Sequence, residues 1–236
     1  RHVAQGGHAG QTNGCDFLFT AGDGVTKLAH EIEGYDPGTG KLTAWVNIPM
    51  LSSTSGVPTE LYAYYGNYAC DPQWNITGTW NANFMMVQHL QETPTNNVAG
   101  FRDSTIRNNN GTPWEFGGPG GGTTDAPGRF DGGVLMDGAA HIRCGTGSSL
   151  RPNPLTVEFW VNMPATAKTR GARNTFISAQ LAYWIFQHES NDYLYFHYWN
   201  GSGYAGSYLC TYPNMAANQW YYCAVTYDKN ANTATY

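Results

Sequence analysis

Apolar and polar residues alternate along this chain in short runs instead of recurring every three or four positions, so the pattern predicts strands and almost no helix. The clearest runs are Asp16–Thr20, Leu42–Ile48, Glu60–Tyr65, Thr156–Asn162, Tyr193–Trp199 and Trp220–Tyr227. Each is rich in β-branched or aromatic residues and closes on Gly, Asn, Pro or Asp. Many short strands with Gly-rich turns and no helices between them predict antiparallel sandwiches, not a parallel α/β sheet.

Turn chemistry adds two hairpins. Asp36-Pro37-Gly38-Thr39-Gly40 supplies a fixed φ and positive-φ positions between two strand-like runs, and Asn200-Gly201 follows Trp199 with the residues tight hairpins favour. Within Tyr193–Trp199 the period of two puts Leu194, Phe196 and Tyr198 on one face and Tyr193, Tyr195, His197 and Trp199 on the other. At 236 residues the chain has room for two ordinary domains. The boundary is placed near Asn75–Trp80, giving 1–78 and 79–236, with Phe84–Leu90 and Arg129–Met136 as opening strands of the second domain. The glycine run 117–122 then becomes a surface loop.

Composition narrows the function. Charged residues make up 12% of the chain against a usual figure of about 25%, so Asn, Thr, Ser, Gln, Gly and Tyr must cover the surface. Twelve Lys and Arg spread along a chain of net charge -5 offer no basic stripe for nucleic acid or a membrane surface. No run of about 18 apolar residues is present to span a bilayer. The low charge, the many tyrosines and the sequons at Asn75, Asn110 and Asn200 predict an extracellular or cell-surface protein.

Two stretches resemble known families. DFLFTAGDGVTKLAHEIEGYDPGTGKLTAWVNIPML from Asp16, followed by TELYAYYGN ending at Asn67, resembles the bacterial and archaeal domain of unknown function numbered 2341. MVQHL at Met86–Leu90, DST at Asp103–Thr105, RFDGG at Arg129–Gly133, LTVEFWV at Leu155–Val161 and QWYYCAVTYD at Gln219–Asp228 resemble a concanavalin A-like, laminin-G-like sandwich. The resemblances imply two β-sandwiches, the second a jelly roll, each lacking a strand: one before Asp16 in the first, one after Tyr236 in the second. An incomplete sheet is a template for strand donation by another copy of the chain.

Candidate chemistry is sparse. Glycoside hydrolysis needs two carboxyls about 5 Å apart or somewhat wider, and the LTVEFWV strand brings Glu158 alone, so the reading is non-enzymatic. The outward rings, extended by Glu158 with Trp160 and by Tyr222 from neighbouring strands, predict a face for glycans or other surface polymers. His30-Glu31-Ile32-Glu33 reads as a strand with both carboxylates on its wet face. No cofactor is predicted beyond a calcium ion, for which Asp103, Asn108, Asn110 and Asp131 offer hard oxygen ligands. Of the five cysteines, none in CxxC spacing, Cys15 with Cys70 and Cys210 with Cys223 are candidate disulfides, leaving Cys144 over.

Overall fold

The computed structural model describes residues 1–117, 121–210 and 214–236, with the backbone alone at 205–209. The chain divides into two compact units, Arg1–Gly145 and Thr146–Tyr236. The division therefore falls well past residue 78. Phe84–Leu90 forms no strand, and the run Arg129–Met136 yields a strand that pairs inside the first unit. Part of the glycine run, 118–120, lies outside the described residues.

The first unit holds β1 (Leu18–Ala21), β2 (Lys27–Leu28), β3 (His30–Tyr35), β4 (Leu42–Val46) and β5 (Leu61–Tyr64). One helical turn, α1 (Ile76–Thr79), precedes β6 (Thr112–Trp114), β7 (Thr123–Pro127), β8 (Gly132–Leu135) and β9 (His141–Arg143). The sheets run β2-β1-β5, β3-β4, β6-β9 and β7-β8, with antiparallel pairing in each. The turn between β3 and β4 forms as the sequence predicts: Asp36 Oδ1 accepts the Gly38 N–H at 2.8 Å, and Gly40 takes φ +81.

The β3-β4 hairpin carries two unlike faces. Ile32, Tyr35, Leu42, Ala44 and Val46 pack against Ala9, Phe17, Phe19 and Leu28. Ile32 and Tyr35 are three positions apart, which strict alternation would put on opposite faces. A bulge between Ile32 and Gly34 leaves Glu33 without a cross-strand partner and restores both side chains to the core. The opposite face bears Glu31, Glu33 and Trp45.

Buried carboxylates organise the loops of this unit. Asp16 accepts the N–H groups of Gly10, Gln11 and Gly66 at 2.7, 3.2 and 2.7 Å. Asp103 accepts from Val87 N, Thr105 N and Asn109 N at 3.0, 3.0 and 2.8 Å, and from Thr105 Oγ1 at 2.9 Å. Each substitutes for peptide groups the irregular backbone cannot supply.

The second unit holds β10 (Leu155–Asn162), the helical turn α2 (Ala167–Arg170), β11 (Asn174–Ala179), β12 (Tyr183–Gln187), β13 (Leu194–Trp199), β14 (Tyr204–Cys210), β15 (Trp220–Asp228) and β16 (Thr233–Thr235). Two sheets, β10-β15-β16 and β11-β12-β13-β14, face one another across a single apolar layer. Ile185, Phe196 and Val225 in it are wholly buried, with Leu155, Tyr183, Leu194, Cys223 and Tyr227 around them. Burying such a side chain contributes roughly 1.5–3 kcal/mol each. The Asn200-Gly201 turn links β13 to β14, with Gly201 at φ +106 and Asn200 Oδ1 accepting from Ser202 N and Gly203 N, both at 3.0 Å.

At one edge of this core lies Gln187, wholly buried. Its Oε1 accepts from Ala167 N at 2.8 Å and Asn174 Nδ2 at 2.9 Å, and its Nε2 donates to Met215 O at 2.8 Å and Asp192 O at 3.2 Å. All four hydrogen-bonding positions of the amide are filled.

Candidate functional site

Strands β10 and β15 pair over their full overlap, placing Thr156 opposite Thr226, Glu158 opposite Ala224, Trp160 opposite Tyr222 and Asn162 opposite Trp220. These even-numbered positions point away from the core while Leu155, Val157, Phe159 and Val161 and their partners point in. The outer face is thus a regular two-strand platform. Trp160 and Tyr222 have ring centroids 5.3 Å apart and are 37% and 53% exposed, and Trp220 is 39% exposed. The Tyr222 hydroxyl donates to Glu158 Oε2, which pushes the phenol up to about 12 and fixes both groups on the sheet.

Sequence reasoning joined these residues to the Tyr195, His197 and Trp199 row, and the structure separates them. β13 belongs to the four-stranded sheet, so its outward row lies on the far side of the sandwich from Trp160 and Tyr222. Period two gives the parity of a strand but not its sheet. Tyr193 sits in the turn before β13, its N–H bonded to Asn191 Oδ1 at 3.2 Å.

On that far face the rings pack chiefly on one another. Phe186 is wholly buried there, stacked on Tyr195 at 5.6 Å and edge-on to His197 at 4.8 Å. Arg173 covers it, its guanidinium 5.0 Å from the Trp184 ring and 4.8 Å from the Phe186 ring while Nε pairs with Glu189 at 3.0 Å. Burial, then the charges of Arg173 and His188, depress the pKa of His197. The sequence reading missed Trp184, Phe186 and Arg173, although Trp184 and Phe186 share the parity that marks an outward row on β12.

In the first unit the wet face expected for Glu31 and Glu33 is buried. Their side chains are 8% and 5% exposed, and His89, 10% exposed, lies between them: Nε2 is 3.2 Å from Glu31 Oε2 and Nδ1 is 3.4 Å from Glu33 Oε2. Trp80 Nε1 donates to Glu31 Oε2 at 2.6 Å, Ser104 Oγ to Glu31 Oε1 at 2.6 Å, and Trp45 Nε1 to Glu33 Oε2 at 2.7 Å. The segment carrying His89 covers the hairpin face that strand parity alone leaves to solvent. His30, on the other side of β3, is wholly buried, with Nδ1 against Leu28 O at 3.3 Å, and burial lowers its pKa.

The calcium reading does not fit these loops. The oxygens of Asp103 receive N–H and O–H donors, Asn110 Oδ1 accepts the Asp103 N–H at 2.8 Å, and Asp131 lies 3.7 Å from Lys41 Nζ. Asn108 turns its amide nitrogen to Ile106 O at 3.4 Å. Among the described residues no group of three or more His, Cys, Asp or Glu is arranged to hold a metal ion. Nor is any helix among them long and apolar enough to cross a membrane.

Cys15 and Cys70 stand as thiols, not as the expected disulfide, with Cys70 Sγ turned to Gln11 Nε2 at 3.4 Å and Asn67 O at 3.5 Å. Cys210 packs against the core that contains Cys223. Burial pushes the Cys144 thiol up to about 11 and the Cys223 thiol up to about 12. Under reducing conditions near neutral pH, iodoacetamide is therefore expected to alkylate these two at least roughly a hundredfold more slowly in the native protein than after unfolding. Peptide mass spectrometry of timed quenches measures the ratio, and equal native and unfolded rates would show that neither site is sealed. Asn75, Asn110 and Asn200, the sequon asparagines, are all exposed.

The fold makes the second unit a two-sheet antiparallel β-sandwich. Residues 136–236 match the family model of the concanavalin A-like lectin/glucanases superfamily, so the C-terminal region is a concanavalin A-like domain. The resemblance of the first unit to the domain of unknown function 2341 gains no support from that comparison. No curated protein and no solved structure matches the chain.

Proposed function

We propose that the chain is a non-catalytic extracellular module that binds carbohydrate through the outer face of β10 and β15. The observation that carries this is the exposed Trp160–Tyr222 pair held on a regular antiparallel ladder beside Glu158 and Trp220. Sugar rings present C–H faces that pack on aromatic rings, and Glu158, Asn162 and the Tyr222 hydroxyl supply partners for sugar hydroxyls. Thr156, Glu158, Trp160, Asn162, Trp220, Tyr222, Ala224 and Thr226 include one carboxylate and no Lys or Arg. Such a face suits neutral glycans and disfavours sulfated or uronate polymers. The positions flanking Glu158, namely Thr156, Trp160, Ala224 and Tyr222, offer no second carboxylate for glycosidic cleavage.

Affinity electrophoresis through gels containing neutral β-glucan, xylan or mannan tests the reading, with heparin as the acidic control. Retardation in at least one neutral gel is expected, weakened about tenfold by Trp160→Ala through lost ring contact and unchanged by Trp184→Ala on the far face. Retardation by heparin alone, or retention unaltered by Trp160→Ala, would overturn it. A second reading, assembly between copies, draws on β5, an edge strand whose four residues are all exposed. Light scattering that shows a dimer or larger species, abolished by Tyr62→Lys on that strand, would favour assembly.

A further inference from the structure

Three side chains contact or flank His89 with negative charge. Glu31 and Glu33 come from β3, and Glu92, from the same segment as His89, adds a third charge acting on the ring. Uncharged groups complete the contacts: Trp45 from β4 stacks on the imidazole at 5.7 Å with 25° between planes, Trp80 lies at 6.2 Å, and Ser104 reaches Glu31. The Nε2 contact to Glu31 lies off the line of a hydrogen bond, so charge holds it. Glu92 Oε1 accepts the Arg102 N–H at 2.9 Å while its Oε2 is buried without a hydrogen-bond partner.

The cluster is also the seam between two parts of the first unit. Through it, and through Gln91 Nε2 donating to Glu33 O at 2.7 Å, the segment containing Trp80, His89, Gln91 and Ser104 is fastened to the β3-β4 hairpin. Its strength therefore depends on whether the imidazole carries a proton. We infer that this Glu31–His89–Glu33 clasp is a pH-sensitive lock, closed while His89 is protonated and released when the ring becomes neutral between buried carboxylates.

The sign follows from the two groups. Burial lowers the pKa of His89, but the close contact with Glu31 and the charges of Glu31, Glu33 and Glu92 win and raise it above 6.5. Its contribution is complete below the unfolded value and is lost as pH rises through the raised folded value. Burial raises Glu31, but His89, Ser104 and Trp80 bring it below 4.5, so its contribution is present above 4.5 and lost as pH falls through the depressed folded value. The lock is thus tightest in mildly acidic solution and opens on the alkaline side.

Two measurements on the full chain test this. The first follows the His89 ring proton by NMR from pH 5 to 10, assigned with His89→Gln; a titration midpoint above 6.5 is expected, and one at or below 6.5 overturns the proposal. The second follows hydrogen exchange of the Trp45 and Trp80 indole N–H groups, corrected for intrinsic base catalysis. Between 6.5 and the His89 midpoint, opening is expected to become easier by up to about tenfold per pH unit and to level off above it. Protection that stays flat through the His89 titration, or a pH step that persists in a folded His89→Gln variant, would show that the ring is packing and not a lock.

Discussion

Glu31→Ala is expected to lower the stability of the first unit by about 3–5 kcal/mol, the range for removing one partner of a buried ion pair. The side chain is 8% exposed, and its loss strands the His89 ring, the Trp80 indole N–H and the Ser104 hydroxyl at once, in a place water does not readily reach. Glu31→Gln should cost less, because the amide oxygen still accepts from Trp80 or Ser104 while the charge facing His89 disappears. Urea unfolding followed by tryptophan fluorescence at pH 6 measures both. A loss below about 1 kcal/mol for the alanine variant would mean that the cluster is solvated and contributes no more than a surface pair.

Gln187→Leu is the corresponding experiment in the second unit, and there the replacement has nearly the same volume. A leucine fills the space but makes none of the bonds to Ala167 N, Asn174 Nδ2, Met215 O and Asp192 O. Each orphaned buried group costs roughly 1–3 kcal/mol, so a total loss of at least about 3 kcal/mol is expected even after the neighbours relax. Differential scanning calorimetry reads it as a drop in the transition of this unit. A neutral result would require the four partners to find new bonds, which a crystal structure of the variant would reveal.

Much of the fold was legible because it rests on local chemistry. The runs at Leu42, Thr156, Tyr193 and Trp220 became β4, β10, β13 and β15, and the Asp36–Gly40 and Asn200-Gly201 turns formed where fixed and positive φ values were available. The faces of these strands were also legible, since Leu194 and Phe196 turn inward and Tyr195 and His197 outward. What covers an outward face was not. Trp80 and Ser104 reach Glu31 from 49 and 73 residues downstream, and no periodicity within β3 announces them. The same limit misplaced the boundary near residue 78, because the segment 80–105 belongs to the hairpin through side chains and not through a ladder. In the second unit, parity was right for Trp160 and Tyr222, but assigning them to the sheet of His197 required knowing how distant strands pair.

The unpaired position at Glu33 makes the length of this hairpin an inherited constraint. Upstream of it the residues count in twos from His30; downstream they count in twos from Tyr35, and the two counts are out of step by one. Losing the codon for Glu33 would remove the bulge and let the ladder run in regular alternation with Ile32 and Tyr35 still inward, but it would take one of its two carboxylates from the histidine. Chains related to this one that keep the two carboxylates should therefore also keep the extra residue between Ile32 and Gly34.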